Sequence, residues 1–472
     1  VRMNKEQKAP ADRGNVAYMI MFWEGVGNLF PWNAFITASS YYAQRFCGTS
    51  FETSFENYFS ITYTLSQTIG LALSIIYAHN FTLQQRIVIP LLLYSFIFAL
   101  TTSLVGVTEI DPSLLFGVTV ISACLCGLVG AALSGGLFSL GAMLPPAYTG
   151  GLMNGQGLAG LVVSVSALLT TLAADEINTC NDDGTDDGED CAQSISYSAL
   201  AYFLIATFVL LSCAFAYFAL KKMEFTKYYV SRAIGEPLAE TENPLLENQS
   251  IHNKEGEEAG GLVYYSDNDK ALRKSEFEHR NSGSAGFYET YQYVKEVYSQ
   301  IMIPSLSVIG IFSVTIAIFP SLTVLVESTE KCKSTDRFYN DLFSPFLFLM
   351  FNVFDLIGRL VAGSTKPVFT PSNIWIGSVS RLIFWPAFLL LNVANSKLPV
   401  AFPNDAFPIL FMAVMAFTNG YIASNCMMMG ASIVKPQDSG LAGTIMVFSL
   451  TLGLFFGSCF SFMIVYISQG KV

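Results

Sequence analysis

Charged residues are scarce in this sequence: Asp, Glu, Lys and Arg together make up only 13% of its 472 residues. A typical soluble domain carries about 25% charged residues. Hydrophobic residues supply 52% of the chain, and the mean hydropathy is +0.47. This composition excludes an ordinary water-soluble enzyme and indicates a protein that lies mostly within a lipid bilayer.

Residues that carry catalysis or bind metal ions are also rare. The chain has 3 histidines, none of them near a loop cysteine, and it has no glycine-rich loop followed by a phosphate-binding lysine. We therefore expect no enzymatic activity, no metal site and no other cofactor. The net charge of -11 and the lack of a long basic run exclude a nucleic-acid binder.

Long apolar segments dominate the chain, and a helix needs about 20 mostly apolar residues to cross a bilayer. The nearly continuous apolar stretch from 114 to 174 is divided at Pro145-Pro146, because proline removes an amide donor and breaks a helix. The sequence predicts an all-α membrane protein with about eleven transmembrane helices, at residues 16–39, 57–79, 87–107, 114–143, 150–174, 196–220, 301–326, 342–364, 373–395, 406–433 and 440–467.

The predicted spans form a group of six and a group of five, separated by a polar segment. We expect an N-terminal six-helix bundle over 1–221, a cytosolic and mostly disordered loop over 222–298, and a C-terminal five-helix bundle over 299–472. The loop is rich in Glu, Asp, Asn, Ser and Gly and poor in aliphatic residues, a composition typical of disorder. Within it, residues 287–299 alternate Tyr and Val with polar residues, which predicts a short surface helix before the seventh span.

The distribution of Lys and Arg favours a cytosolic N-terminus, because basic loops stay on the cytosolic side. With about eleven spans, the C-terminus is then extracellular. The first fifteen residues are polar, so the first span is expected to direct membrane insertion in place of a cleavable signal peptide. The basic residues placed inside are those of the N-terminal tail together with Arg86, Lys221, Lys222, Lys227, Arg232, Lys366 and Lys435.

Four of the 9 cysteines fall in loops that this orientation places outside the cell: Cys47, Cys180, Cys191 and Cys332. An oxidising compartment would allow up to two disulfides among them, and the sequence leaves all three pairings open. Metal binding is the weaker interpretation of these cysteines, because no histidine lies near them.

Ionisable residues inside a span are costly to bury and so are candidates for function. Three are identified, Glu24 in the first span and Asp355 with Arg359 in the eighth. Asp355 and Arg359 are four residues apart and share one helical face, where they could offer hydrogen bonds to a polar solute or form a purely structural ion pair. Glu24 could bind a proton, because burial favours the neutral form of a carboxyl group, or it could hydrogen-bond to a neighbouring helix.

The first span also contains an aromatic and an amide group next to a proline. Pro31 can kink the helix, Trp32 offers a flat surface for stacking against an aromatic base, and Asn33 offers an amide. Ordinary helix packing is the other explanation of this motif.

Six motifs follow one another along the chain: Leu29-Phe30-Pro31-Trp32-Asn33, Met153-Asn154-Gly155-Gln156-Gly157-Leu158-Ala159-Gly160, Phe319-Pro320, Phe351-Asn352-Val353-Phe354-Asp355-Leu356-Ile357-Gly358-Arg359, Thr418-Asn419-Gly420-Tyr421 and Ala442-Gly443-Thr444-Ile445-Met446. As an ordered set they resemble the equilibrative nucleoside transporter family. Each motif is weak alone, but their order and spacing match along nearly the whole chain.

The resemblance implies a six-plus-five arrangement similar to the major facilitator fold, with alternating access around a central cavity. It also implies that Asp355 and Arg359 contact the sugar of a nucleoside. Gly130 and Ser134 in the fourth span complete the candidate binding set. The residues implied to line the cavity or its gates are Trp32, Asn33, Phe319, Pro320, Phe348 and Asn352.

Two residues depart from the family pattern. Many members have a glutamine that touches the base where this chain has Ser134, which leaves the base preference open. Many have an aliphatic residue where this chain has Glu24, which leaves strictly passive transport open.

The leading hypothesis is transport of nucleosides, or of nucleobases, by facilitated diffusion through a lipid bilayer. The alternatives are a proton-coupled symporter, a carrier of another small polar solute, and a receptor that signals through the loop 222–298. We expect the plasma membrane as the compartment. Pro244-Leu245-Leu246 follows acidic residues and leaves an endolysosomal or other internal membrane as the alternative.

In intact cells, we expect external protease to reach the loops at 46–56, 175–195 and 327–341 but not the N-terminus or residues 222–298. The basic bias and the clustered loop cysteines are the reasons. Protease cleavage can be followed with epitope tags on each segment, before and after detergent is added. A glycan attached at Asn80, or cleavage of 222–298 from outside, would contradict this topology.

Overall fold

The computed structural model describes residues 9–49, 51, 55–77, 80–107, 110–173, 197–234 and 287–470, and the chain is helical with no β-strand in those ranges. The predicted external loop over 175–195, with Cys180 and Cys191, lies outside the described residues. The α-helices, numbered here in chain order, are α1 (Val16–Thr37), α2 (Ser39–Arg45), α3 (Phe55–Tyr77), α4 (Leu83–Val105), α5 (Pro112–Met143), α6 (Pro146–Ala173), α7 (Tyr197–Lys222), α8 (Glu224–Ile234), α9 (Phe287–Ile318), α10 (Phe343–Ser364), α11 (Ile374–Ser380), α12 (Phe384–Leu389), α13 (Ala406–Ser432) and α14 (Ser439–Gln469).

The predicted membrane spans coincide with these helices. Within the described ranges, nine helices are long and apolar enough to cross a membrane. Helix α1 and the shorter apolar stretch Ile374–Leu389, which contains α11 and α12, supply the other two predicted positions. The prediction of an all-α, multi-pass membrane protein is confirmed.

The boundary between α5 and α6 lies where the paired prolines predicted it. Helix α5 ends at Met143 and α6 begins at Pro146, where the missing amide hydrogen costs the helix nothing. At its other end α5 is capped by Asp111, whose Oδ1 accepts hydrogen bonds from the amides of Ser113 at 2.9 Å and Leu114 at 3.1 Å. Local chemistry therefore determines both ends of this long helix.

The ninth span is broken, whereas the sequence predicted one continuous helix over 373–395. A 3-10 turn at Arg381–Ile383 separates α11 from α12. Pro386 explains the break, because its ring clashes with the carbonyl four residues earlier, that of Leu382, and it has no amide to donate. The regular α-helical hydrogen bonding is therefore interrupted in the middle of the span, at Arg381.

The polar segment 222–298, predicted as a mostly disordered loop, is helical at both of its described ends. Helix α8 covers Glu224–Ile234, and the Phe225 ring packs 5.0 Å from the ring of Tyr148 at the start of α6. Residues 287–299 are not a separate surface helix but the first turns of α9, since no proline or glycine interrupts them. Residues 235–286 lie outside the described part of the chain.

Two of the predicted loop cysteines, Cys47 and Cys332, are disulfide-bonded. Because Cys180 and Cys191 lie outside the described residues, the pairing stays open. The cysteines that were predicted to lie within spans have free thiols: Cys124, Cys126, Cys213, Cys426 and Cys459.

Two pairs of helices make reciprocal backbone contacts, in which each helix supplies one glycine. A Cβ at Gly155 of α6 would overlap the carbonyl oxygen of Phe22 in α1, and a Cβ at Gly25 of α1 would overlap that of Leu152 in α6. Helices α10 and α13 use the same reciprocal arrangement, at Gly358 and Gly420. Lipid provides no hydrophobic force between helices, so such close packing is a main source of attraction.

Helices of the N-terminal half meet helices of the C-terminal half along two principal lines. Helix α5 packs against α14, where a Cβ at Gly443 would overlap the carbonyl oxygen of Phe138. Helix α6 packs against α10, where Gly157 and Gly160 of α6 face the side chains of Arg359 and Asn352. The candidate site described next lies on the second line.

We expect Gly155→Ala to lower the thermal unfolding midpoint of the purified protein in detergent by several degrees. The added methyl group forces α1 and α6 apart, and overpacking of this kind costs about 1–3 kcal/mol. Gly117→Ala is the matched control, because a Cβ at Gly117 of α5 has no atom within 4 Å and alanine favours a helix over glycine. Equal midpoints for the two variants would refute the proposed role of the close contact.

Candidate functional site

The predicted pair in the eighth span forms a buried ion pair. Arg359 Nε lies 2.6 Å from Asp355 Oδ2, one helical turn away on α10. Only 5% of Asp355 and 8% of Arg359 is exposed. A pair with this geometry reduces the cost of removing both charges from water, although it does not cancel it.

Arg359 also joins the two halves of the chain. Its Nη1 donates a hydrogen bond to the carbonyl oxygen of Met153 in α6 at 3.0 Å. Gly157, one turn further along α6, gives the arginine room, since a Cβ there would lie 3.0 Å from Arg359 Cδ. The guanidinium group therefore sits where α10 faces α6.

The second oxygen of the Asp355 carboxylate is held by Asn419 of α13. Asn419 Nδ2 donates to Asp355 Oδ1 at 2.7 Å, and Asn419 is 2% exposed. The neighbouring Gly420 allows α13 to approach the Asp355 backbone closely enough for this bond. The sequence drew attention to Asn419 only as part of a family motif and did not assign it to the site.

Arg381 is a further buried charge in the C-terminal half, and it lies inside the predicted ninth span although it was not identified as a candidate from the sequence. It is 1% exposed and lies in the break of the ninth span. Its Nη2 donates to Thr315 Oγ1 of α9 at 2.6 Å, and its Nη1 donates to the Met415 carbonyl at 2.8 Å and to the Thr418 hydroxyl. The signal that could have identified it was present, because a charge in an apolar span is a candidate by default.

The gate residues implied by the resemblance lie together beside the ion pair. The ring of Phe319 lies 4.7 Å from that of Phe348 and stacks at 4.0 Å on that of Phe351. Pro320 follows Phe319 through a cis peptide bond. Asn352 donates from Nδ2 to the Phe348 carbonyl at 3.0 Å, and its Oδ1 would lie 2.5 Å from a Cβ at Gly160 of α6.

The candidate residues of the N-terminal half form a second group around α1, α3 and α5. The ring of Trp32 stacks on that of Tyr63 at 4.5 Å. Ser134 donates to Asn28 Oδ1 at 2.8 Å, which links α5 to α1. A Cβ at Gly130 would overlap the hydroxyl of Tyr94 on α4, so this glycine makes room for a helix contact. Asn33 is 8% exposed.

Tyr63, Asn28 and Tyr94 were not identified from the sequence as neighbours of this group. Tyr and Asn residues are common in membrane helices, and only the packing of α1, α3 and α4 against α5 brings these three to the candidate residues. The described contacts that join the two halves near the ion pair run through Met153, Gly157 and Gly160 of α6.

Glu24 lies apart from both groups, between α1 and α7. It is fully buried, and neither carboxyl oxygen has a hydrogen-bond partner in the described structure. The titratable side chains of α7 that act on it are those of Cys213 and Tyr217. Helices α5 and α6, which also pack on α1, contain no Asp, Glu, Lys, Arg or His.

Comparisons with known proteins extend over most of the chain. The family model described as "Nucleoside transporter" matches residues 120–466. Equilibrative nucleoside transporter 1 of Homo sapiens is 32% identical, with 96% of this chain and 98% of that protein covered. Equilibrative nucleoside transporter 2 of Homo sapiens is 28% identical over the same shares, and equilibrative nucleotide transporter 1 of Arabidopsis thaliana is 27% identical, with 96% of this chain and 86% of that protein covered.

Two solved structures of the major facilitator superfamily share the fold. The proton:xylose symporter XylE superposes with a TM-score of 0.54 at 12% sequence identity, covering 94% of this chain and 86% of XylE. FucP in its outward conformation gives a TM-score of 0.54 at 10% identity, covering 96% of this chain and 97% of FucP. At these identities the likeness concerns the fold alone.

Proposed function

Because the chain belongs to the nucleoside transporter family, we propose that it carries nucleosides across a membrane by facilitated diffusion. The observation that carries this proposal is the buried Asp355–Arg359 pair, whose arginine bonds across to α6. A charged pair at the contact between two packed halves is expensive to bury and offers a polar solute a matched set of groups. Nucleobases are the second substrate class that these groups would suit.

The two side chains have complementary tasks in this proposal. The carboxylate of Asp355 accepts hydrogen bonds and suits the hydroxyl groups of a sugar. Arg359 uses Nε for Asp355 and Nη1 for Met153, and its Nη2 has no protein partner among the described residues. A substrate sugar would therefore find one acceptor, the Asp355 carboxylate, beside one fixed donor, Arg359 Nη2.

Alternating access would follow from the position of Arg359 between the halves. The bond from Arg359 to the Met153 carbonyl must break or be replaced when α6 and α10 move apart. A substrate that supplies an acceptor to the same guanidinium group would reduce the cost of that movement. Trp32, Asn33, Gly130 and Ser134 would form the opposite side of the binding site, while Phe319, Pro320, Phe348 and Asn352 would serve as gate.

The membrane arrangement completes the proposal. Residues 1–221 would form the N-terminal bundle, 222–298 a cytosolic connection and 299–472 the C-terminal bundle. The N-terminus would lie in the cytosol and the C-terminus outside, in the plasma membrane. The charge distribution along the loops supports this orientation.

Uptake of radiolabelled adenosine in cells that lack nucleoside transport tests the proposed function. We expect uptake that saturates, is inhibited by excess unlabelled adenosine, and stops when the inside concentration equals the outside concentration. Wild-type protein that reaches the membrane and transports no nucleoside would overturn the proposal, and a receptor would then be the better hypothesis.

Asp355→Ala and Arg359→Ala should each abolish adenosine uptake. Either change leaves the other charge buried without its partner, at a cost of about 3–5 kcal/mol, and removes a group that contacts substrate. Leu360→Ala is the matched control on α10, because Leu360 is 44% exposed on the outer surface of the helix bundle. Surface biotinylation must show that each variant reaches its membrane. Near-normal uptake by either charge variant would refute the site assignment.

A second candidate function, proton-coupled transport, rests on Glu24. Its carboxyl group is fully buried and has no hydrogen-bond partner in the described structure, so the packed state strongly favours the neutral form. Proton coupling would require that Glu24 bind a proton in one facing state and release it in the other. The alternative is a neutral structural residue between α1 and α7.

If Glu24 couples transport to protons, adenosine uptake should rise as the outside pH falls and weaken when a protonophore is added. Glu24→Gln should lose both responses, because glutamine matches the shape of the neutral acid but does not titrate. Uptake can be measured at outside pH values between about 5.5 and 8, which change the proton gradient across the membrane. A wild-type rate that is the same across this range would assign Glu24 a structural role and the protein passive transport.

A further inference from the structure

A chain of hydrogen bonds connects Arg381 to the Asp355 carboxylate across three helices. Arg381 Nη2 donates to Thr315 Oγ1 at 2.6 Å, Thr315 Oγ1 donates to Asn419 Oδ1 at 2.8 Å, and Asn419 Nδ2 donates to Asp355 Oδ1 at 2.7 Å. Arg359 approaches the same carboxylate from the other side. Every member of this relay is at most 8% exposed: Thr315, Asp355, Arg359, Arg381 and Asn419.

The chemistry of the two ends gives the relay one direction. A guanidinium group only donates and a carboxylate only accepts. Thr315 therefore accepts a hydrogen bond from Arg381. Its single hydroxyl proton is within reach of two acceptors, Asn419 Oδ1 at 2.8 Å and the Ile311 carbonyl oxygen at 2.9 Å. The Asn419 amide must then turn its NH2 group toward Asp355, because a reversed amide would place its oxygen against the carboxylate.

The break in the ninth span does not need a charged side chain such as that of Arg381 to hold it together. It is a fully buried cation whose protein partners are neutral oxygens, and its Nε has no hydrogen-bond partner in the described structure. A charge in this position costs several kcal/mol, and a neutral donor could bond to the Met415 carbonyl equally well. The acidic side chain to which its hydrogen bonds lead is Asp355, through Thr315 and Asn419.

We infer that Arg381 is a positioning residue for substrate recognition, which acts through Thr315 and Asn419 to hold the carboxylate of Asp355 in the orientation that accepts from the sugar hydroxyls. This inference rests on the proposed function, in which Asp355 contacts the sugar. Each carboxylate oxygen of Asp355 accepts one protein donor, so each retains accepting capacity for a hydroxyl group. The relay prevents rotation of the carboxylate and reversal of the Asn419 amide.

The test compares adenosine with 2′,3′-dideoxyadenosine, which has the same base but lacks two sugar hydroxyls. Thr315→Val keeps the side-chain shape and every charge but removes the middle of the relay. It should raise the KM for adenosine by about fivefold to tenfold, the loss expected for one hydrogen bond between neutral groups such as Thr315 and Asn419. The KM for 2′,3′-dideoxyadenosine should stay within about twofold, a change below 0.5 kcal/mol that lies inside the additivity error. A defect in folding alone would lower the maximal rate for both substrates and leave their KM ratio unchanged.

Thr451→Val is the matched control, because Thr451 of α14 is equally buried and donates only to the carbonyl of Val447 in its own helix. Arg381→Gln should reproduce the selective change of Thr315→Val, and if it does not reach the membrane, Thr315→Val still decides the question. If Thr315→Val behaves like Thr451→Val while Asp355→Ala abolishes uptake, the relay is refuted and the proposed function stands. If wild-type protein takes up neither nucleoside, the proposed function fails and the inference fails with it.

Discussion

In the C-terminal half of this protein, the cost of burying charge in an apolar bundle determines which side chains of neighbouring helices must bond to one another. Asp355 carries a negative charge in a position that is 5% exposed, and it is stabilised by Arg359 on its own helix and by Asn419 on α13. Because these groups are almost fully shielded from solvent, each must find its partner within the protein. Helices α9, α10, α13 and the broken ninth span are therefore held in register by one set of hydrogen bonds.

Close helix packing makes those bonds possible. Gly420 brings the backbone of α13 against that of α10, and the adjacent Asn419 then reaches the Asp355 carboxylate. Gly157 leaves space for the Arg359 side chain, whose guanidinium group bonds to the α6 backbone. Glycine and polar side chains thus act at the same contacts: the first permits the approach and the second determines its register.

Glu24 shows the opposite condition. It is as deeply buried as Arg381, but it lies between α1 and α7 without a hydrogen-bond partner in the described structure. Neither oxygen of Glu24 accepts a hydrogen bond from a described residue, whereas the two oxygens of Asp355 accept hydrogen bonds from Arg359 and Asn419. Glu24 and Asp355 therefore lie in contrasting environments, Glu24 in the N-terminal half and Asp355 in the C-terminal half.

The sequence by itself determined the helical membrane fold and most helix positions, because apolar length and paired prolines act locally. It also brought Asp355 and Arg359 together, since a spacing of four residues places both on one face of a helix. Only the tertiary structure decided that Asn419, Thr315 and Arg381 join them, because the partners in this relay are between 64 and 104 positions apart. Their meeting depends on how α9, α11 and α13 pack, and no local pattern records that packing.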